Sequence, residues 1–141
     1  MYSIREQVLR EVVLRLTNAV APVPVLRMPV APVTREASPA LLVFAEGDGI
    51  AANANGVMDR ALTLRLVAIA RDDNAFDTAD QLIVEAHRAL LIDSNLGGLC
   101  LGMTQLDCEW DVEDADNTAV AIPARFEIRY RTLSNDLTQT G

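Results

Sequence analysis

Five groups of residues in this chain have the types or spacing that could do chemistry. Gly47-Asp48-Gly49-Ile50-Ala51-Ala52 matches G-x-G-x-x-A, the fingerprint of a loop that cradles a dinucleotide pyrophosphate. That chemistry needs the loop to follow a strand and open a helix whose N-terminus faces the phosphates, inside a parallel crossover unit. Asn53, Asn55 and Gly56 interrupt any such helix, so a flexible loop is the expected reading. His87, the sole histidine, could serve as a general base, but it lies mid-helix between Ala86 and Arg88 without a nucleophile beside it. A helix-surface or interface role is expected instead. Asp114, Asp116 and Asn117 could begin a calcium loop, yet the sixth position is not glycine and the twelfth is Arg125 rather than glutamate. A solvated turn fits better. The acidic row Asp107, Glu109 and Asp111 could hold a general acid and base, although carboxylates on an outer strand face are usually solvated or paired. Cys100 and Cys108 have no metal-binding spacing and are expected as reduced core thiols of a cytosolic protein. No catalytic residue, metal site or cofactor is expected.

These residues sit on elements that the hydrophobic pattern marks out. From Met103 to Thr132 the chain reads as two alternating strands. In the first, Thr104, Leu106, Cys108, Trp110 and Val112 share a face predicted to be inward. In the second, Ile122, Ala124, Phe126, Ile128 and Tyr130 point inward, and Arg125, Glu127, Arg129 and Arg131 outward. Folded as a hairpin across the polar 114–118 connection, an acidic row would face a basic one and help set the register. Upstream, Ser3 and Glu6 form a capping box for a helix over about 4–19, with Ile4, Val8, Leu9, Val12 and Leu16 as its apolar stripe. Five of the six prolines follow, making 22–39 an extended arm or edge strand. A short strand is expected at 40–46 and a longer one at 60–71, separated by a mobile loop at 47–59. A second helix is expected over about 77–93, ending at Ser94-Asn95-Leu96-Gly97-Gly98, and 134–141 reads as a flexible tail. The whole is one α+β domain: a largely antiparallel four-stranded sheet with two main helices packed on one face.

Composition narrows the partners. The 141 residues are 50% hydrophobic with a net charge of -8, and all 12 fixed cationic side chains are arginine. Arginine suits bidentate carboxylate pairing and is enriched at protein interfaces. So acidic a chain should not hold nucleic acid by its whole surface. The opening residues lack a secretory apolar core and no apolar run is long enough to cross a bilayer, so a cytoplasmic protein without membrane contact is expected.

The order of elements and several local patterns resemble the tail terminator, or minor tail protein U-like, family of long-tailed bacteriophages and prophages. The resemblance is carried by the opening helix from Ile4 to Ala19, the strand Ala61 to Ala70, and the helix Thr78-Ala79-Asp80-Gln81-Leu82 through Leu90-Leu91-Ile92-Asp93. It continues in the break Leu96-Gly97-Gly98-Leu99 and the closing strand Ala124 to Thr132. The 22–39 arm departs from the pattern. The resemblance implies a non-enzymatic virion protein, assembled in the bacterial cytoplasm and resident in the phage tail. It implies a homohexameric ring that caps the tail tube, stops addition of tail-tube protein and presents a surface to the head connector, with DNA passing through but not specifically bound. Under that reading Arg65, Arg71, Arg125, Arg129 and Arg131 are candidate subunit contacts, with Asp48, Asn53 and Asn55 on the 47–59 loop. The bland alternative for the arginines is pairing within the subunit to Asp107, Glu109 and Asp111. The nearest rival function is another head–tail joining or tail-completion protein of the same particle; a small oligomeric ligand-binding protein or enzyme is more remote.

Overall fold

A computed structural model describes residues 1–28, 37–110 and 119–141. Two helices and five strands follow in the order α1 (Ile4–Val20), β1 (Val25–Arg27), β2 (Ala40–Ala54), β3 (Val57–Ala70), α2 (Ala75–Leu91), β4 (Gly102–Leu106) and β5 (Val120–Leu133). The strands form one sheet in the order β1-β2-β3-β5-β4, antiparallel throughout except that β1 runs parallel to β2. The α+β class thus holds, with a mixed five-stranded sheet in place of the four antiparallel strands expected. The additional strand, Val25–Arg27, is a sheet edge inside the 22–39 stretch, in keeping with the edge-strand reading of that stretch, and is too brief to show a period of its own.

Both helices cover the same face. Ile4, Val8, Val12 and Leu16 of α1 and Ala79, Leu82, Ala86 and Leu90 of α2 share one core with Leu41, Val43, Leu62, Leu64, Leu66, Phe126, Ile128 and Tyr130. Period-two alternation in β3 and β5 makes this possible, because every second residue from Leu62 to Ala70 and from Ile122 to Tyr130 is buried. The start of α1 is capped as its sequence dictates: the Ser3 hydroxyl accepts from the Glu6 amide at 3.1 Å. The end of α2 passes into a 3-10 turn at Leu96–Gly98 in which Gly97 and Gly98 take positive φ, the left-handed geometry that favours glycine.

Three expectations need correction. The expected 47–59 loop is the distal half of a long β-hairpin, whose two-residue turn is Asn55 (φ 56°) and Gly56 (φ 77°). Asn-Gly is the favoured pair for a turn with positive φ at both central positions. Next, 134–141 folds back onto the domain: the Ser134 amide donates to the Gly56 carbonyl, and the Leu137 carbonyl accepts from the Ile4 amide at 2.8 Å. Last, β4 ends at Leu106, and its buried residue is Met103, while Cys108 is only half-buried and Trp110 is 51% exposed. Trp110 stacks on the exposed ring of Phe76 at 6.4 Å, which shelters part of its apolar surface without entering the core. Residues 29–36 of the proline arm, and Asp111, Val112, Asp114, Asp116 and Asn117 with the rest of 111–118, lie outside the described residues.

The helices are also tied to the sheet by charge. Arg27 of β1 grips Glu6 of α1 with two nitrogens at 2.7 and 2.8 Å, and Arg10 adds a third bond at 2.9 Å. These guanidiniums, Arg27 foremost, hold the Glu6 carboxyl down from 4.5 to about 2. A depressed folded value means that the stabilisation is complete above the ordinary carboxyl pKa and disappears as pH falls through the folded one. We therefore expect the Glu6→Gln variant to lose on the order of 1 kcal/mol at neutral pH, the modest size reflecting solvent around the site. Its stability, followed by denaturant titration, should decline less than that of the native chain between about pH 4.5 and about pH 2. Parallel acid profiles would contradict this.

Candidate assembly surface

The face of the sheet turned away from the helices carries exposed charge toward the hairpin tip and, toward the other end, an apolar cluster of Ala40 and Leu42 with Leu26, Phe44, Val67 and Ile69. Strict alternation places Asp59, Ala61, Thr63 and Arg65 of β3 there, directly opposite Arg131, Arg129, Glu127 and Arg125 of β5. Four of the candidate arginines, Arg65, Arg125, Arg129 and Arg131, are thereby brought onto one surface. Among the described residues their carboxylate partners are other than the expected Asp107 and Glu109, while Asp111 lies outside the described residues. Arg131 Nε donates to Asp59 Oδ1 at 2.7 Å, Arg129 Nε to Glu127 at 3.1 Å, and Arg125 Nε to Glu46 at 3.3 Å with a further bond to the Asp107 carbonyl at 3.1 Å. Arg131 lowers the Asp59 pKa, chiefly through that hydrogen bond. Arg65 differs from the others. It stands across from Arg125, like charge to like charge; its Nη1 points at Cys108 Sγ, 3.6 Å away, and among the described residues no carboxylate lies within ion-pair distance of it.

The remaining candidates lie elsewhere. Arg71 follows β3 at the opposite end of the sheet, its amide donating to the Ser38 hydroxyl at 2.7 Å. Asn53 pairs with Met58 near the hairpin tip, and Asn55 forms the turn. Asp48 has crossed to the helix side. A register shift between Ala45 and Gly47 leaves Glu46 as an inserted residue, which reverses the facing of the residues beyond it. One bulge thus serves both faces: Glu46 meets Arg125 outside, while Asp48 accepts from the buried Tyr130 hydroxyl and from Arg5 of α1 at 3.3 Å. Asp48 Oδ1 is buried without a partner among the described residues. Neither Glu46 nor Asp59 is prominent in the sequence. Asp59 could have been found from the Asn55-Gly56 turn, which sets the hairpin register; the bulge has no comparable signal.

The arrangement is poor in the convergence that catalysis requires. Gly47 to Ala52 lies inside an antiparallel strand and opens no helix, so the pyrophosphate-binding geometry is not formed. His87 sits on the exposed flank of α2, 3.3 Å from the Gln105 carboxamide and tilted against the Phe126 ring. What the arginine face offers is a field of solvent-exposed, charge-assisted bonds at the level of a flat sheet. No family model matches this chain, and no curated protein matches its sequence.

Charge reversal at Arg129 separates two uses of this face. Arg129 is 56% exposed, and among the described residues its side chain pairs with Glu127 of its own strand. An exposed pair of this kind stabilises a fold by no more than about 1 kcal/mol. For Arg129→Glu we expect a melting temperature close to that of the native chain, with weakened self-association on a sizing column. A native oligomer that melts earlier would mean that the arginine serves its own subunit alone.

Proposed function

We propose that this chain is a structural subunit of a long-tailed phage particle, similar to the tail terminators. Copies close into a ring, expected to be a hexamer, on the end of the tail tube. The ring halts addition of tail-tube protein and offers its other side to the head connector. Assembly rather than catalysis is its work, no cofactor enters, and it resides in the virion tail after assembly in the host cytoplasm. The observation that carries this reading is a sheet with both helices on one face, whose other face joins the exposed pairs Arg131–Asp59, Arg129–Glu127 and Arg125–Glu46 to an apolar cluster of Ala40, Leu42, Phe44, Val67 and Ile69. The order of elements on which the resemblance rests, helix, paired strands, helix, paired strands, supports it. The net charge of -8 suits a passage that lets DNA through without holding its phosphates. Labelling the subunit in intact particles tests the placement: label at the head-proximal end of the tail supports a terminator, label at the distal end points to another tail-completion protein, and no label in the particle removes the reading.

A further inference from the structure

We propose that copies of this chain join edge to edge, β4 of one copy pairing with the outer edge of β2 of the next, so that the sheet runs on across the subunit boundary. This rests on the ring reading and names its contact.

Among the described residues the sheet ends in two open edges. On one side β1 covers β2 only at Leu41 to Val43, and among the described residues no strand pairs with the outer side of β2 from Ala45 to Ala54. On the other side β4 is the last strand, its outer side likewise unpaired among the described residues. Unpaired strand edges are templates for a further strand, and proteins that must avoid this place proline or lysine there. Proline occurs in neither 45–54 nor 102–106, and lysine nowhere in the chain; the β2 edge is interrupted by two register shifts, between Ala45 and Gly47 and between Ile50 and Ala52, so a partner strand must follow the bulged path.

The two edges match in height and direction. Across the sheet, Gly102 pairs with Arg129, Arg129 with Ala61 and Ala61 with Gly49; Leu106 pairs with Arg125, Arg125 with Arg65 and Arg65 with Phe44. Strand β4 therefore stands level with Phe44 to Gly49, just past the end of β1. Three successive antiparallel pairings also make β4 antiparallel to β2, so a neighbour in the same orientation presents the correct polarity. A head-to-tail contact whose rotation closes without axial shift makes a ring, whereas one that does not close winds into a filament.

Side chains match as well. Ile50, 58% exposed, pairs with Arg60 on the helix-covered side of the sheet. On that same side a groove of 640 Å³ runs between α2 and β4, lined by Val84, His87, Leu91 and the 80% exposed Ile92. In a continued sheet Ile50 of one copy enters the groove of the next. Asp48, on the same helix-covered side of β2 as Ile50 and bound in its own subunit to Tyr130 and Arg5, is opposite in charge to Arg88, which lines the groove with a single 3.7 Å contact to Glu85.

Ile50→Glu and Ile92→Glu each place a charge in the junction from one side while altering a residue that is exposed in the free subunit. Sedimentation should show the native chain as a closed oligomer, and each variant alone with a dissociation constant raised at least about 30-fold. Mixed in equal amounts, the two variants share one intact junction and should stop at a heterodimer. Amides in 45–54 and 102–106 should exchange more slowly in the native oligomer than in the variants. Variants that assemble like the native chain, a mixture that yields no heterodimer, or edge amides equally exposed in the oligomer would overturn the junction and leave the ring reading standing. A native chain that is monomeric at every concentration and on tube ends would end both.

Discussion

Replacing Phe126 with alanine is expected to destabilise the fold by about 3–5 kcal/mol, the usual cost of emptying an aromatic site in a close-packed core. Phe126 is wholly buried in the middle of β5, between Leu64 of β3 and Gln105 of β4, with the His87 ring of α2 tilted over it at a centroid distance of 6.0 Å. Sheet and helix meet at this ring, so neither can close on the space it leaves. Phe126→Leu keeps most of the volume and should cost less than about 1.5 kcal/mol. Denaturant titration of both variants checks the pair. Equal losses would mean that the site tolerates collapse and that the core is organised elsewhere.

The second large effect belongs to Tyr130 and Asp48. Tyr130→Phe removes the hydroxyl that Asp48 accepts from and leaves a mostly buried carboxylate with Arg5 alone, a loss of about 1–3 kcal/mol. The variant should also change the alkaline limb of stability. Burial first, and then the bond to Asp48, push the Tyr130 hydroxyl well above its ordinary value of 10. With the folded value raised, the unfolded chain gives up this proton more readily, so stability is complete below pH 10 and falls as pH climbs past it. Phenylalanine has no proton to release, and the profile of the variant should be flatter there. An equally steep decline in both proteins would mean that Tyr130 does not govern that limb.

How far the sequence could be read depends on where a period governs burial. From Ile122 to Tyr130 every second residue is apolar and every one of those is buried, because β5 lies between two strands beneath both helices. The stripes of α1 and α2 were legible for the same reason, and so was the outward set Arg125, Arg129 and Arg131. In β4 the same rule misleads: Leu106, Cys108 and Trp110 keep the period, but pairing with β5 stops at Leu106, and Gln105 rather than Leu106 lies toward α2. The distal hairpin hid behind composition. Gly47, Gly49, Ala51 and Ala52 have low strand propensity, and two register shifts break their alternation, so only the Asn55-Gly56 pair announced a turn. The bulge at Glu46 sends Asp48 to the helix side and supplies Arg125 with its carboxylate, a pairing visible only in three dimensions.

On the proposed reading this chain ends the growth of a tube. Purified protein added to polymerising tail-tube subunits, with tube lengths measured by electron microscopy, tests that most directly. Tubes should stop lengthening once the protein is present, each bearing a ring at one end. Tubes that grow to the same lengths with and without it, their ends bare, would contradict it.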